Sequence, residues 1–550
     1  MSETKPQLRP VKDVAAEIGL GSDDIELYGE YKAKIKLNTY KQVVNNPNGD
    51  LILVSAITPT PAGEGKTTTA VGLAMGLNRI GKKAIVTLRE PSLGPLFGMK
   101  GGATGGGKTQ VHPIDEINMH FTGDLHAVTS AHNLISAVLD NHLFRRKEPQ
   151  LDPRQVVWNR VMDMNDRSLR DIVIGLGGKK NGFPRETNFS ISASSEIMAI
   201  LGLSESYHDL KEKIGNILLG FTYDNQPVYL KELNITGAVV ALLKDALKPN
   251  IVQTSDGTPA FVHGGPFANI AQGTCSVLSM KMALKLSDYV VTEAGFGFDL
   301  GAEKFFDIVA RKSGLNPKVV VLVATVRALK MHGGKKLTEL SESDPEAVKR
   351  GIPNLLKHIQ NICRFAVPAV VAINRFDNDT DEEVKVLVDF LKGRGVETAI
   401  IDSASRGSAG AVDLAEKVVK ISGHNEHYKP LYELEATIEE KIEMICKQIY
   451  GSSAVDFTKL AKQAIKKINK IGLAKLPVCI AKTQKSLSDN PGLLGRPKDF
   501  LVTVRDIEIS SGAGFLVPIT GDVLLMPGLP KVPSAEHVDI DEDGNISGLF

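Results

Sequence analysis

The chain has 550 residues, of which 23% are charged and 42% hydrophobic, and its formal net charge is +1. This composition is typical of a folded globular protein, and the balanced charge gives no indication of nucleic acid or of an anionic membrane as a partner. The four cysteines lie far apart in sequence and form no CxxC pair, which argues against a zinc ribbon or a thioredoxin-like site.

The N-terminal segment MSETKPQLRP has no apolar core, so we do not expect a signal peptide. The longest apolar runs are shorter than the ~18–20 residues that a membrane-spanning helix needs. We therefore expect a soluble, cytoplasmic protein.

Seven short apolar runs predict buried strands, because strands covered on both faces of a parallel sheet show continuous hydrophobic sequence. Helical segments at 65–81 and 379–395 follow two of these runs, and such alternation predicts an α/β fold with a mainly parallel sheet. The seven runs are 51–58, 83–88, 171–177, 288–295, 319–326, 368–374 and 398–404.

The most specific motif is TPTPAGEGKTTTAVGL at 58–73, between the first predicted strand and the first predicted helix. In a phosphate-binding loop (P-loop), glycines let backbone N–H groups face phosphate oxygens, a lysine reaches the terminal phosphates, and a hydroxyl binds Mg²⁺. Gly63, Gly65, Lys66 and Thr67 occupy these positions, and Thr60 replaces the usual first glycine. The predicted nucleotide-binding residues are Thr58, Pro59, Thr60, Gly63, Glu64, Gly65, Lys66, Thr67 and Thr68, with Thr67 also contacting Mg²⁺.

Arg89 and Glu90 follow the second predicted strand, at the edge where parallel sheets bind ligands. An arginine there can neutralise the charge of a phosphoryl group during its transfer, although an ion pair between Arg89 and Glu90 would also explain both residues. Residues 94–107 contain seven glycines, which we interpret as a loop whose backbone approaches a ligand rather than as a linker.

Three more polar residues lie in glycine-containing segments. Asp124 and His126 belong to HFTGDLHAVT, where the carboxylate could hold Mg²⁺ or cap the helix that begins there. His263 lies in FVHGGPFANIAQGT, although a lone histidine is more often structural than catalytic. The catalytic candidates are Lys66, Arg89, Asp124, His126 and His263.

The sequence NRFD at 374–377 follows the sixth predicted strand and is similar to the NKxD element with which GTPases recognise guanine. A strand end turning into the next helix explains the same residues. This element supports an alternative in which the chain is a P-loop GTPase or ATPase of the metal-chaperone type.

Beyond residue 429 the hydrophobic pattern of the sequence changes. Amphipathic helices are predicted at 429–451 and 457–472, and strands at 500–510 and 515–520. We therefore predict an α/β protein with a P-loop-containing, mainly parallel sheet core and two smaller C-terminal α/β domains. The predicted segments are 1–355, with the P-loop and insertions, 356–480 and 481–550.

Taken together, these motifs closely resemble the formate–tetrahydrofolate ligase family, also called 10-formyltetrahydrofolate synthetases. The resemblance extends from about residue 30 to the end of the chain. The matching strings include TPTPAGEGKTTT, LREPSLGP, FTGDLHAVT, FVHGGPFANIA, TEAGFG, VATVRALKMHGG, PVCIAKTQ and MPGLPK.

The resemblance implies that ATP and formate give formyl phosphate and ADP, and that an amine of tetrahydrofolate then attacks the formyl carbon. By position, Lys66 is then the phosphate lysine, Arg89 the formyl-phosphate arginine, and Glu90 and Pro91 belong to the ring site. The second domain would contribute to the folate or adenine ring site. The resemblance also implies MgATP, a monovalent cation (K⁺ or NH₄⁺), tetrahydrofolate as cosubstrate and a homotetramer.

The departures from the family pattern cluster in the ring-binding part. The family stacks a planar ring against a phenylalanine, matched here by Phe376, and against a tryptophan whose place is taken by Ala404. Loss of one stacking face should weaken ring binding by about 1 kcal/mol or more. The other departures are Asn188, Ser190, Gln272, Lys485 and Leu487.

Two hypotheses therefore stand beside the GTPase alternative. The chain is an ordinary ligase with a looser folate pocket, or it is a paralogue that makes formyl phosphate but formylates a modified or oxidised pterin or another amine.

Overall fold

The computed structural model describes residues 6–61, 63–98, 104–268, 270–423, 428–521 and 523–549. Among these residues, the central element is a mixed sheet of twelve strands. In chain order the strands are β1 (Ile25–Leu27), β2 (Ala33–Ile35), β3 (Asp50–Ala56), β4 (Ala84–Leu88), β5 (Gly105–Gly106), β6 (Thr109–His112), β7 (Asn250–Thr254), β8 (Pro259–Val262), β9 (Tyr289–Glu293), β10 (Pro317–Ala324), β11 (Ala369–Asn374) and β12 (Glu397–Ile401).

The strands lie in the order β1-β2-β7-β8-β4-β9-β3-β10-β11-β12, and the hairpin of β5 and β6 pairs with β7. From β8 to β12 in this order, all neighbours are parallel. The pairs that involve β1, β2, β6 and β7 are antiparallel. Because β3 lies in the middle of the parallel part, the P-loop emerges at the edge that the carboxyl ends of β4, β9, β10 and β11 share.

Six of the seven predicted strands belong to this sheet, but the prediction for 171–177 was wrong. Only Ile172–Ile174 is extended, and it pairs antiparallel with Arg185–Thr187 in a separate two-stranded sheet. Val173 is half exposed there. The run is too short for a buried strand, because Gly175 and Gly177 follow it at φ angles of 76° and 96°.

Helices cover both faces of the sheet. Two of the π-helical turns come directly before the short helix that begins at Arg311. The predicted helix at 429–451 begins only at Ile438, because Thr437 and Glu440 form a capping box. The α-helices are Val11–Glu17, Leu37–Val43, Lys66–Arg79, Leu93–Phe97, Ile114–Asn118, Asp124–Arg145, Glu196–Leu203, Tyr207–Gly215, Thr236–Leu242, Val277–Leu286, Arg311–Ser313, Val326–His332, Pro345–Arg364, Asp381–Lys392, Ser403–Arg406, Val412–Ser422, Ile438–Ile445 and Lys459–Lys470. The π-helical turns are Phe298–Ala302, Phe305–Ala310 and Cys446–Tyr450.

The remaining strands form small sheets outside the central one. They are Leu151–Val156 with Leu218–Thr222 and Pro227–Tyr229, Arg160–Met162 with Phe189–Ile191, Ala454–Phe457 with Leu501–Ser510 and Phe515–Thr520, and Asp539–Ile540 with Ile546–Ser547. The predicted strands near the C-terminus thus form a sheet of their own. The protein is an α/β protein with one large, mostly parallel sheet and several smaller ones.

The helix Pro345–Arg364 crosses residue 355, and β11 and β12 after it complete the central sheet. The division into domains at 355 and 480 stays a prediction. Within the described ranges, none of the helices combines the length and the apolar character that crossing a membrane requires.

Candidate active site

The P-loop follows β3 and leads into the helix Lys66–Arg79. Gly63 and Gly65 both have positive φ angles, 75° and 70°. A Cβ atom on Gly65 would lie 2.4 Å from the Asn374 side-chain nitrogen at the end of β11, so only glycine fits there. The loop therefore presents its backbone and the N-terminus of a 14-residue helix at the sheet edge, an arrangement suited to phosphate.

The side chain of Glu64 stabilises the P-loop through hydrogen bonds. Its Oε1 atom accepts hydrogen bonds from the Thr60 N–H (2.8 Å) and the Thr60 hydroxyl (2.9 Å). Its Oε2 atom accepts one from Thr325, and Asn374 donates to its carbonyl oxygen at 3.1 Å. These bonds account for the departure at the first glycine position, because Thr60 supplies two donors that glycine could not both provide.

Thr58 lies beneath the loop and is fully buried. Its hydroxyl contacts the Asn354 amide nitrogen at 2.9 Å and His358 Nε2 at 3.0 Å, and its carbonyl accepts a hydrogen bond from His332 Nε2 at 2.8 Å. Thr58 thus anchors the loop to the helices on one face of the sheet.

The Thr67 hydroxyl donates a hydrogen bond to Glu293 Oε2 at 2.8 Å. Glu293 ends β9, the neighbour of β3 in the sheet. A hydroxyl and a carboxylate beside phosphate fit Mg²⁺, which prefers oxygen ligands and keeps several waters and phosphate oxygens. The position of Glu293 near the end of the predicted strand 288–295 already indicated this edge of the sheet, but its contact with Thr67 could not be read from the sequence.

Lys66 and Thr68 also lie on this edge and are half buried. Among the described residues, no group of three or more His, Cys, Asp or Glu side chains could hold a metal ion. Mg²⁺ binding would therefore depend on the nucleotide as well as on Thr67 and Glu293.

Arg89 follows β4 and lies between two loops of the same edge. Its Nη1 atom donates to the Pro266 carbonyl at 3.2 Å, and both Nη atoms lie 3.1 Å from where a Cβ on Gly295 would be. The Nε–H has no partner within the described ranges. Arg89 makes no ion pair with Glu90 there, so its guanidinium keeps donors for an anionic substrate.

Glu90 instead lies beside Asp124 in a buried cluster. Asp124 accepts hydrogen bonds from Lys34 Nζ at 2.7 and 3.0 Å and from the Asn250 amide at 2.9 Å. Burial, and next the charge of Asp124, raise the pKa of Glu90 well above its usual range. This environment favours the neutral form of Glu90, while Lys34 pairs with the Asp124 carboxylate.

Lys34 was not among the predicted site residues, because it lies in the three-residue strand β2, 90 positions before Asp124. We expect Lys34→Met to lower the free energy of unfolding by about 3–5 kcal/mol, since it leaves the buried Asp124 carboxylate unpaired. Urea unfolding at neutral pH measures this loss, and adding Asp124→Asn should restore part of it. The matched control is Lys36→Met, at a more exposed position nearby. A loss at Lys34 no larger than that of the control would contradict a structural ion pair.

The two predicted catalytic histidines, His126 and His263, differ in their burial. His263 is fully buried, with Nδ1 2.6 Å from the Ser276 hydroxyl and Nε2 2.6 Å from the Ala246 carbonyl. Burial lowers the pKa of His263 to about 4. His126 is exposed on the helix Asp124–Arg145. A catalytic role for either stays a prediction, and for His263 both ring nitrogens are already used inside the fold.

Phe376, the predicted ring-binding residue after β11, is half buried. The Arg327 guanidinium stacks on it, with its carbon 3.6 Å from the ring centroid. The same guanidinium donates to the Gly63 carbonyl. Arg327 thus joins the P-loop to the predicted ring site, a link that the sequence motif VATVRALK did not reveal.

Ala404 lies in the short helix Ser403–Arg406, against the end of the glycine-rich segment. Its carbonyl accepts a hydrogen bond from the Lys108 N–H at 2.7 Å, and a Cβ on Gly107 would lie 2.1 Å from that oxygen. The segment therefore needs glycine here. Residues 99–103 of the predicted ligand loop lie outside the described residues.

The other predicted ring-site positions are dispersed. Pro91 is half buried directly after Glu90, and Lys485 is exposed. Gln272 and Leu487 are buried, and the Gln272 amide donates to the Ala199 carbonyl at 3.2 Å. Their part in ring binding stays a prediction.

Comparison with known proteins tests the resemblance. The family model described as formate–tetrahydrofolate ligase matches residues 2–550. A formate–tetrahydrofolate ligase of Syntrophus aciditrophicus (strain SB) is 59% identical over 544 residues, which cover 99% of this chain and 96% of the relative. The phosphate loop, the edge that holds it and these matches over the whole length together establish that the chain belongs to the formate–tetrahydrofolate ligase family.

Proposed function

We propose that this chain ligates formate to tetrahydrofolate at the carboxyl edge of β3, β4 and β9, through a formyl phosphate intermediate. The observation that carries this proposal is the set of groups at the ends of these adjacent strands: Lys66 in the P-loop, Thr67 bonded to Glu293, and Arg89. Family membership favours this ligase over the GTPase alternative.

In the first step, a formate oxygen attacks the γ-phosphorus of ATP, and the bond to the ADP oxygen breaks. Two anions must approach each other, so cationic groups have to offset their repulsion. Lys66 at the start of the P-loop helix and the free donors of Arg89 are suited to this task. Thr67 and Glu293 would hold Mg²⁺, which neutralises phosphate charge when bound.

In the second step, the amine nitrogen that bridges the pterin and aminobenzoate parts of tetrahydrofolate attacks the formyl carbon. The bond from that carbon to the phosphate oxygen breaks, phosphate leaves, the amine loses its proton, and 10-formyltetrahydrofolate results. Arg89 would hold the phosphate during both steps. Water must stay excluded because the mixed anhydride hydrolyses readily.

The ring of the folate or of adenine would stack on Phe376, near Ala404, because β11 and β12 are neighbours in the sheet. Glu90 and Pro91 follow β4, four strands away from β11, so they would contact another part of the substrates. The monovalent cation and the homotetramer implied by the family stay predictions, and the described side chains do not indicate a place for the cation.

The proposal is tested by ADP formation from MgATP, first with formate alone and then with formate and tetrahydrofolate. We expect rapid ADP formation only with both substrates, together with 10-formyltetrahydrofolate. If formate alone supports slow ADP formation and tetrahydrofolate adds nothing, the acceptor is another pterin or amine. GTP preference with hydrolysis in the absence of formate would contradict the ligase.

Replacement of Ala404 tests the placement of the ring site. We expect Ala404→Trp to lower the apparent KM for tetrahydrofolate about fivefold, because a second stacking face contributes about 1 kcal/mol. Steady-state kinetics with varied tetrahydrofolate measure the change. Ser405→Trp puts the same ring on the exposed side of the same helix and is the matched control. An unchanged KM in Ala404→Trp would show that Ala404 does not face the ring.

A further inference from the structure

A cleft of about 1270 Å³ lies between the helix Pro345–Arg364 and the segments 447–453 and 494–499. Arg350, Pro353, Lys357, Gln360 and Arg364 line one wall. They recur every three or four residues and so share one face of the helix. The lining contains one carboxylate, Asp499, and six cationic side chains: Arg350, Lys357, Arg364, Lys447, Arg496 and Lys498.

Several of these groups lack partners. Within the described part of the chain, Arg364 and Lys498 make no hydrogen bond or ion pair. Tyr450 also lines the cleft, and its buried hydroxyl has no hydrogen-bond partner among the described residues. A buried hydroxyl without a partner is costly unless a ligand or water satisfies it.

Lys357 is the most buried cation of the set, at 6% exposed, and it contacts the Gln448 carbonyl. Burial, and then the charges of Arg496 and Arg364, lower the pKa of Lys357 to about 8. Arg496 and Arg364 thus lie close enough to Lys357 to repel it, and a bound anion would offset this repulsion.

We propose that this basic cleft binds a small polyanion carrying at least two carboxylate or phosphate groups. Its volume of about 1270 Å³ is somewhat above that of most small-molecule sites, and its concave shape suits a compact anion, whereas a flat basic surface would suit a longer polyanion. Lys447 is paired with Glu443 at 2.5 Å and Arg350 lies 4.0 Å from Asp344, so the local excess of positive charge comes from Lys357, Arg364, Arg496 and Lys498. The cleft is separate from the P-loop edge described above. Only His332 is shared, because it lines the cleft and donates a hydrogen bond to the Thr58 carbonyl.

The cleft is connected to the P-loop through Gly495. The Gly495 N–H donates to His332 Nδ1 at 3.2 Å, and its carbonyl accepts from the Asn354 amide at 2.7 Å. Both side chains also hold Thr58, directly before the P-loop. The φ angle of Gly495 is 69°, and a Cβ there would lie 2.9 Å from the His332 carbonyl, so this contact requires glycine.

An anion that draws Arg496 and Lys498 inward therefore acts on the backbone that positions the P-loop. We expect anion binding and nucleotide binding to be coupled, with each changing the affinity of the other by the same factor. The coupling rests on nucleotide binding at the P-loop, whereas the cleft itself does not depend on the catalysed reaction.

Isothermal titration calorimetry at low salt tests the site, with Mg²⁺ and a non-hydrolysable ATP analogue filling the P-loop. The probes are a tetraglutamate peptide for carboxylates and fructose 1,6-bisphosphate for phosphates. We expect one of them to bind with 1:1 stoichiometry and a Kd below about 1 mM, and Arg364→Gln/Lys498→Gln to weaken it about tenfold. The probe that binds identifies the anionic group.

The matched control is Lys466→Gln/Lys470→Gln, which removes the same charge from an exposed helix face outside the cleft. Equal weakening by both double variants would overturn the proposal, because the anion would then respond only to overall charge. Failure of both probes to bind would also overturn it. Repeating the titration without the ATP analogue should change the Kd at least about threefold, and an unchanged Kd would refute the coupling but not the site.

Discussion

Replacing Arg89 with alanine is expected to lower kcat for ADP formation with formate and tetrahydrofolate about a thousandfold. Among the described residues, the Arg89 Nε–H has no partner, and of the Nη donors only one bond, from Nη1 to the Pro266 carbonyl, is seen at the edge where β4 and β9 end. Its charge is needed most while the phosphoryl group moves between two oxygens. Because ATP is held mainly by the P-loop, the KM for ATP should change by less than about threefold, and this split distinguishes loss of transition-state stabilisation from loss of binding.

Two controls accompany the Arg89 variant. Arg89→Lys keeps the charge but not the planar donor set, so it should recover only part of the activity. Arg79→Ala removes an exposed arginine at the end of the P-loop helix and should leave kcat unchanged. If Arg89→Ala keeps more than about a tenth of the wild-type kcat, the proposed role of Arg89 in phosphoryl transfer is wrong.

The second large effect is expected for Lys66→Ala, which should reduce formate-dependent ADP formation about a thousandfold as well as weaken nucleotide binding. Lys66 is the first residue of the helix that the left-handed Gly65 begins. We therefore expect its ammonium group and the positive end of the helix dipole to bind the same phosphate group. ADP formation and the binding of a fluorescent ATP analogue should both be measured.

The matched control for Lys66 is Lys83→Ala, which removes an exposed lysine just before β4. The unfolding temperature of both variants should be measured beside activity, so that a loss of fold is distinguished from a loss of catalysis. Full activity in Lys66→Ala would mean that the P-loop no longer serves catalysis and would leave it a structural role.

The parts of the site that could be predicted from sequence are those encoded locally. Gly63, Gly65, Lys66 and Thr67 lie within five positions of one another, so their spacing alone indicated a phosphate loop. The central parallel strands were equally visible, because burial on both faces leaves a continuous apolar run.

What sequence did not reveal was contact between distant segments. Glu293 meets Thr67 across 226 positions, and Arg327 reaches Gly63 across 264. Separations of this length produce no helix or strand periodicity, so the sequence gives no sign of these two contacts. The buried Lys34 lies in a three-residue strand, too short to show any pattern. His263 illustrates the converse, because a histidine in a glycine-rich loop looked available until the fold placed Ser276 and Ala246 on its two nitrogens.

The hydrogen bonds between Thr60 and Glu64 constrain how such sequences diverge. Each residue is useful chiefly because the other is present: Glu64 without the Thr60 hydroxyl loses a donor, and Thr60 without Glu64 loses the acceptor for both its N–H and its hydroxyl. The two positions should therefore change together among relatives. A chain with glycine at position 60 would keep the N–H that donates to Glu64 and lose only the hydroxyl, whereas loss of the acid at 64 would also leave Thr325 without its acceptor.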